Sequence, residues 1–154
     1  MTPNVITRAT KTEILLVEDN PCDAELTLNT LRKHDLGNRV TLVTDGQQAL
    51  DWLFGNEAFA PDLLPKLVLL DLKMPKVNGL EVLRAIRSDI RTRLLPVVVM
   101  SSSNQERDVV ESYGLGANSY IVKSLDFDTF STAVAELGHY WLQLNEDPLK
   151  CLHQ

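Results

Sequence analysis

A chain of 154 residues with 44% hydrophobic side chains is long enough to bury one full core and too short for two comfortable domains. Its 15 Lys and Arg stand against 21 Asp and Glu, a formal charge of -6. That balance argues against a general binder of nucleic acid or anionic membrane and leaves a protein partner or a small ligand.

Two distant cysteines, Cys22 and Cys151, with no spaced Cys/His group, offer neither a zinc site nor a disulfide framework. The opening "MTPNVITRATKTE" has no apolar core of signal-peptide length, and no later apolar run approaches the ~20 residues of a spanning helix. A cytoplasmic location is the expectation.

In chain order, the first strand is expected at "EILLVE" (Glu13 to Glu18). Asn20 and Pro21 then read as an N-cap followed by a first-turn proline, with Ala24, Leu28 and Leu31 on one helix face. A second strand follows at "RVTLVT" (Arg39 to Thr44). "FGNEAFAPDLLPK" (Phe54 to Lys66) is too Pro-rich to be all helix. A third strand, "LVLLD" (Leu67 to Asp71), leads to a helix whose stripe is Val82, Leu83, Ile86 and Ile90. "PVVVMS" (Pro96 to Ser101) is the fourth strand, after which Ser103 and Glu106 have the spacing of a capping box. "NSYIVK" (Asn118 to Lys123) is the fifth. Phe130, Ala133, Val134, Leu137 and Trp141 give the last helix its apolar side. Five strands alternating with helices make an α/β fold, a parallel sheet covered on both faces.

In such a doubly wound sheet, ligands bind beyond the carboxyl ends of the strands. The first strand ends in Glu18 and Asp19, the third in Asp71, the fourth in Ser101 and the fifth in Lys123. A single charge there is ordinarily a solvated cap. Three acids, a hydroxyl and a lysine at one edge are a site. Clustered carboxylates raise one another's pKa unless a cation neutralises them, and a few hard oxygen ligands suit Mg²⁺ together with a phosphate oxygen. Lysine and hydroxyl supply charge and a hydrogen bond to the same phosphoryl group.

The motifs "VEDNP", "LLDLKMP", "VVVMSSS" and "YIVKS" resemble those of a two-component response-regulator receiver domain. Thirty positions separate Asp71 from Ser101 and twenty-two separate Ser101 from Lys123, as in that family. The resemblance implies a flavodoxin-like five-stranded parallel (βα)5 sheet in strand order 2-1-3-4-5. It divides the chain into a tail over 1–12, a receiver over 13–142 and an extension over 143–154. It further implies that Asp71 accepts a phosphoryl group from a sensor histidine kinase. Glu18, Asp19, Asp71 and the backbone carbonyl of Lys73 would arrange Mg²⁺, and Lys123 would bind a phosphoryl oxygen. Ser101 and Tyr120 would form the switch, read by partners at the face made by the fourth helix, fifth strand and fifth helix.

Two features depart from the common receiver pattern: Ser124 follows the lysine where proline is usual, and the segment from Phe54 to Lys66 is long. With "EDNPCDAEL" they make the chain similar to the small stand-alone regulators of cyanobacterial phytochromes. That similarity implies a phytochrome as kinase and a homodimer through the fourth-helix to fifth-helix face. Tyr140, Trp141, Leu142, Leu144, Leu149 and Leu152 supply apolar groups for such contact or for packing on their own domain. No DNA-binding module follows, so output by protein binding is expected. The expected function is signalling, with catalysis limited to the chain's own phosphoryl transfer and dephosphorylation.

The rival from another class is a haloacid-dehalogenase-type phosphatase, which needs a second Asp two positions after the first, where Lys73 stands. The other alternative is a degenerate receiver that binds partners without phosphorylation. Outside this cluster, Ser103 reads as a helix cap, Lys73 as a solvent-facing side chain, and His34, His139 and His153 as scattered surface residues.

Overall fold

A computed structural model describes residues 11–37, 39–55, 63–123 and 126–151, with positions 150 and 151 described by backbone alone. The tail before residue 11, positions 56–62 of the long loop, Ser124, Leu152 and His153 lie outside the described residues.

Strands β1 (Ile14–Val17), β2 (Val40–Val43), β3 (Leu67–Asp71), β4 (Val97–Ser101) and β5 (Ser119–Val122) alternate with helices. The helices are α1 (Pro21–Lys33), α2 (Gly46–Phe54), α3 (Gly79–Ser88), α4 (Glu106–Gly114) and α5 (Phe127–His139). A π-helical turn (Tyr140–Leu144) and the short α6 (Pro148–Cys151) end the described chain. The sheet is parallel throughout, in the order β2-β1-β3-β4-β5, as expected.

β1, β3 and β4 are buried at every position because helices cover both faces, which is why they read as unbroken Val/Leu/Ile runs. Alternate residues point to opposite faces. Leu15, Val17, Val68, Leu70, Val97 and Val99 pack with Ala49 and Leu53 of α2 and Val82, Leu83 and Ile86 of α3. Ile14, Leu16, Leu67, Leu69, Val98 and Met100 pack with Leu31 of α1 and Phe130 and Val134 of α5.

Asn20 caps α1 by accepting from the N–H groups of Cys22 and Asp23, with Pro21 as the first helical residue. Two sequence expectations need correction. Ile90 is not part of the α3 stripe: the helix stops at Ser88, Asp89 is extended and accepts from the Arg91 N–H, and Ile90 is left 77% exposed. Ser103 is not the cap of α4. Gln105 holds that position without a side-chain bond, and Glu106 is the first helical residue where a capping box needs the third.

Half-buried Arg87 at the end of α3 staples the opposite edge of the sheet. Its guanidinium donates to the carbonyls of Gly116, Arg93 and Leu95 and to Asn118 Oδ1, which also accepts from the Val97 N–H. At the C-terminus Leu149 is buried in the cluster with α2 and α3, while Tyr140 and Leu144 are exposed. His34 and His139 are exposed. Among the described residues no helix is long and apolar enough to cross a membrane.

Candidate functional site

Parallel strands bring their carboxyl ends to one edge, and the residues picked from the strand ends meet there. Asp71 is the last residue of β3, paired in register with Met100 of β4, and Ser101 closes β4 beside Val122. Glu18 follows β1, held by its N–H to the Val43 carbonyl. Lys123 follows β5, with its N–H on the Ser101 carbonyl at 2.7 Å. The backbone under Asp71 is itself fixed by α3. Asn78 caps that helix, and the Gly79 N–H bonds to the Leu72 carbonyl. A Cβ on Gly79 would lie 2.2 Å from the Asp71 carbonyl oxygen, so only glycine lets the helix start this close to the strand end.

Carboxylate oxygens of Glu18, Asp19 and Asp71 lie within 4.8 Å of one another, Glu18 and Asp71 buried and Asp19 more open. Lys123 Nζ stands 2.5 Å from Glu18 Oε1, 3.1 Å from Asp23 Oδ2 and 3.5 Å from Asp71 Oδ2. The Asn20 N–H donates to the other Glu18 oxygen at 3.2 Å, and the Lys73 N–H reaches toward Asp71 Oδ1 at 3.4 Å while its side chain is exposed.

Burial, followed by the Glu18 charge, pushes the Asp71 carboxyl up to about 7, against the pull of Lys123. Burial also works against the Lys123 ammonium. Its bond to Glu18 and the charges of Asp71 and Glu18 outweigh that penalty, and its pKa lies above the ordinary lysine value. Three acids, Glu18, Asp23 and Asp71, therefore share one lysine with Asp19 beside them, and the excess negative charge with hard oxygen donors fits a small divalent cation.

The switch candidates are joined through a third residue. Ser101 is fully buried, and its Oγ accepts from the Ser103 N–H at 3.1 Å. The half-buried Tyr120 donates its hydroxyl to the Ser103 carbonyl at 2.8 Å. Ser103 is thus a link between the two.

A profile of the response regulator receiver domain matches residues 14–135. The chain belongs to that family. Among its relatives is FilR2 of Methanothrix harundinacea (strain 6Ac), a probable methanogenesis regulatory protein. It is 40% identical over 135 residues, 88% of this chain and 86% of that one. The structure of the phosphorylated cyanobacterial phytochrome response regulator RcpA is 37% identical. It aligns with a TM-score of 0.80 over 89% of this receiver and 98% of its own chain. The bacteriophytochrome response regulator RtBRR is 50% identical, with a TM-score of 0.67 over 88% and 82% of the two chains. Receiver domains hold Mg²⁺ or Mn²⁺ in an acidic pocket, and the Glu18–Asp19–Asp71 cluster fits that property.

Two contributors were hidden from sequence inspection. Asp23, one turn into α1, takes part of the Lys123 charge across a hundred positions of chain. Asp108 binds the Ser103 hydroxyl. The "EDNPCD" run places Asp23 four residues after Asp19, but only the packing of α1 against α5 brings it to Lys123.

Proposed function

We propose that this receiver takes a phosphoryl group onto Asp71 from the phosphohistidine of a sensor histidine kinase and signals by changing its protein contacts. One observation carries the proposal: a buried carboxylate at a strand end, 3.5 Å from a lysine ammonium and gathered with two further acids. In the proposed step an Asp71 oxygen attacks phosphorus in line. The new P–O bond forms as the P–N bond to the imidazole breaks, and the imidazole leaves with the electron pair.

Glu18, Asp19, Asp71 and the Lys73 carbonyl are the proposed holders of Mg²⁺, which when bound neutralises charge between the carboxylates and the incoming phosphoryl oxygens. Lys123 remains cationic and transfers its contact from Asp71 to a phosphoryl oxygen. Burial of Glu18 and Asp71 limits the water that could hydrolyse the acyl phosphate. Ser101 turns its hydroxyl from the Ser103 N–H to the phosphoryl group, and Tyr120 follows, altering the α4–β5–α5 face.

Similarity to RcpA and RtBRR supports a phytochrome-type kinase as donor, cyanobacterial or bacterial. The alternative donor is a sensor histidine kinase of another class. Transfer from a purified phytochrome kinase that differs between red-illuminated and far-red-illuminated samples favours the first, and transfer from other kinases alone favours the second. Exposed Val110 and Tyr113 on α4 support a homodimer through that face, tested by native mass before and after phosphorylation.

The test of the core proposal is intact mass after treatment with acetyl phosphate and Mg²⁺. Wild type should gain one phosphoryl group and Asp71→Asn none. A wild type that gains nothing from acetyl phosphate or from any kinase is a degenerate receiver that acts by binding alone.

A further inference from the structure

Ser103 touches both ends of the proposed switch through its own peptide groups, the N–H on Ser101 Oγ and the carbonyl on the Tyr120 hydroxyl. Its side chain is held separately. The hydroxyl donates to Asp108 Oδ2 over 2.5 Å and accepts from the Gln105 N–H at 3.2 Å. A hydroxyl-to-carboxylate bond of this kind is about twice as strong as a neutral one. Asp108 sits in the first turn of α4, where a carboxylate is favoured by the partial positive charge of the helix start. Its backbone carbonyl accepts from Ser112 Oγ, which ties it to the body of the helix.

We propose that Asp108 is a positioning residue of the switch: by fixing the Ser103 hydroxyl it aims the Ser103 N–H at Ser101 and the Ser103 carbonyl at Tyr120, so the two hydroxyls are coupled through one residue. This rests on the roles given above to Ser101 and Tyr120. A purely structural Asp108 would stabilise the start of α4 and leave Tyr120 where it is. A positioning Asp108 governs Tyr120 even before a phosphoryl group arrives, because a released Ser103 peptide can rotate its carbonyl away from the phenol.

The experiment uses ¹⁹F NMR of the full chain labelled with 3-fluorotyrosine, Tyr120→Phe identifying the Tyr120 signal among the three tyrosines. In metal-free, unphosphorylated protein, Asp108→Ala should move the Tyr120 resonance toward the value of an exposed tyrosine. It should also abolish any further shift of that resonance on phosphorylation with excess acetyl phosphate and Mg²⁺. Ser103→Ala should reproduce the first shift, and the double variant should move no further than either single one, since both break the same link. Asp108→Asn, which keeps an acceptor and conserves shape, should give a smaller shift, and it serves if the alanine variant does not fold.

An unmoved Tyr120 resonance in Asp108→Asn and in whichever alanine variants fold overturns the proposal, as does full additivity of the two alanine changes. The first readout needs no phosphoryl group. Failure of Asp71 to label and failure of Asp108 to position Tyr120 therefore give different results.

Discussion

Lys123 Nζ lies closer to Glu18, at 2.5 Å, than to Asp71, at 3.5 Å, and Asp23 holds it from a third side at 3.1 Å. The cation that the proposed chemistry needs at the phosphoryl group is thus shared before the reaction starts. Asp23 is the partner that can be removed with least damage, because it is the most exposed of the three carboxylates.

Asp23→Asn should free Lys123 for the phosphoryl oxygen and remove a negative charge at the mouth of the site. Labelling by acetyl phosphate, itself an anion, should accelerate by about 2- to 10-fold at low salt, and the gain should shrink at high ionic strength. Single-turnover labelling by mass spectrometry checks it. A rate below wild type would show that Asp23 helps to hold Lys123 in the productive place, and an equal rate that sharing with Asp23 does not limit labelling.

The raised pKa of Asp71 ties stability to pH. Its value is about 7 in the folded protein and 3.8 as the ordinary reference, so the folded state binds this proton more tightly than the unfolded chain. The associated stability is full below about pH 4 and is lost as pH rises to about 7. In EDTA, Asp71→Asn should flatten that slope. At pH 8 it should be more stable than wild type by roughly 2 kcal/mol, after allowance for water reaching the site. Urea melts at pH 5 and pH 8 would show a parallel pair of curves if Asp71 were not under this strain.

Filling the acidic cluster should relieve the same repulsion. Millimolar Mg²⁺ is expected to raise the Tm of wild type at pH 8 by a few degrees, the linkage expected at about tenfold excess over Kd. Asp19→Asn should lose most of the rise while leaving the metal-free Tm nearly unchanged, because Asp19 is the more open of the three acids. An equal rise in both proteins would place the cation elsewhere.

Arg87→Ala tests the far edge of the sheet. It strips donors from the Gly116 and Leu95 carbonyls and from Asn118, so unfolding should become easier by about 3 kcal/mol, while labelling at Asp71 proceeds as in wild type. Denaturant melts and intact mass on the same sample separate the two effects.

The sheet was legible because buried parallel strands write themselves as Val/Leu/Ile runs, and Asp71 stood out as the charge that ends one. Glu18, Asp19, Ser101 and Lys123 followed from the rule that such strand ends converge. Local signals worked where local physics decides, as at Asn20 and Pro21. They failed at Ser103, whose spacing to Glu106 imitates a capping box while its hydroxyl is drawn instead to Asp108. They failed again at Ile90, where the α3 stripe continues by count although the Asp89–Arg91 turn has already ended the helix. Asp23 and Arg87 act across 100 and 29 positions of chain, and no pattern within a window of one helix carries that information.

The central claim is that Asp71 itself carries the phosphoryl group, and borohydride trapping with peptide sequencing by mass spectrometry tests it most directly. After phosphorylation with Mg²⁺, reduction should convert residue 71, and no other acid, to homoserine in wild type, with no conversion in Asp71→Asn. Homoserine at Asp19 or Asp23, 5-hydroxynorvaline at Glu18, or trapping that persists at another residue in Asp71→Asn, would contradict the account.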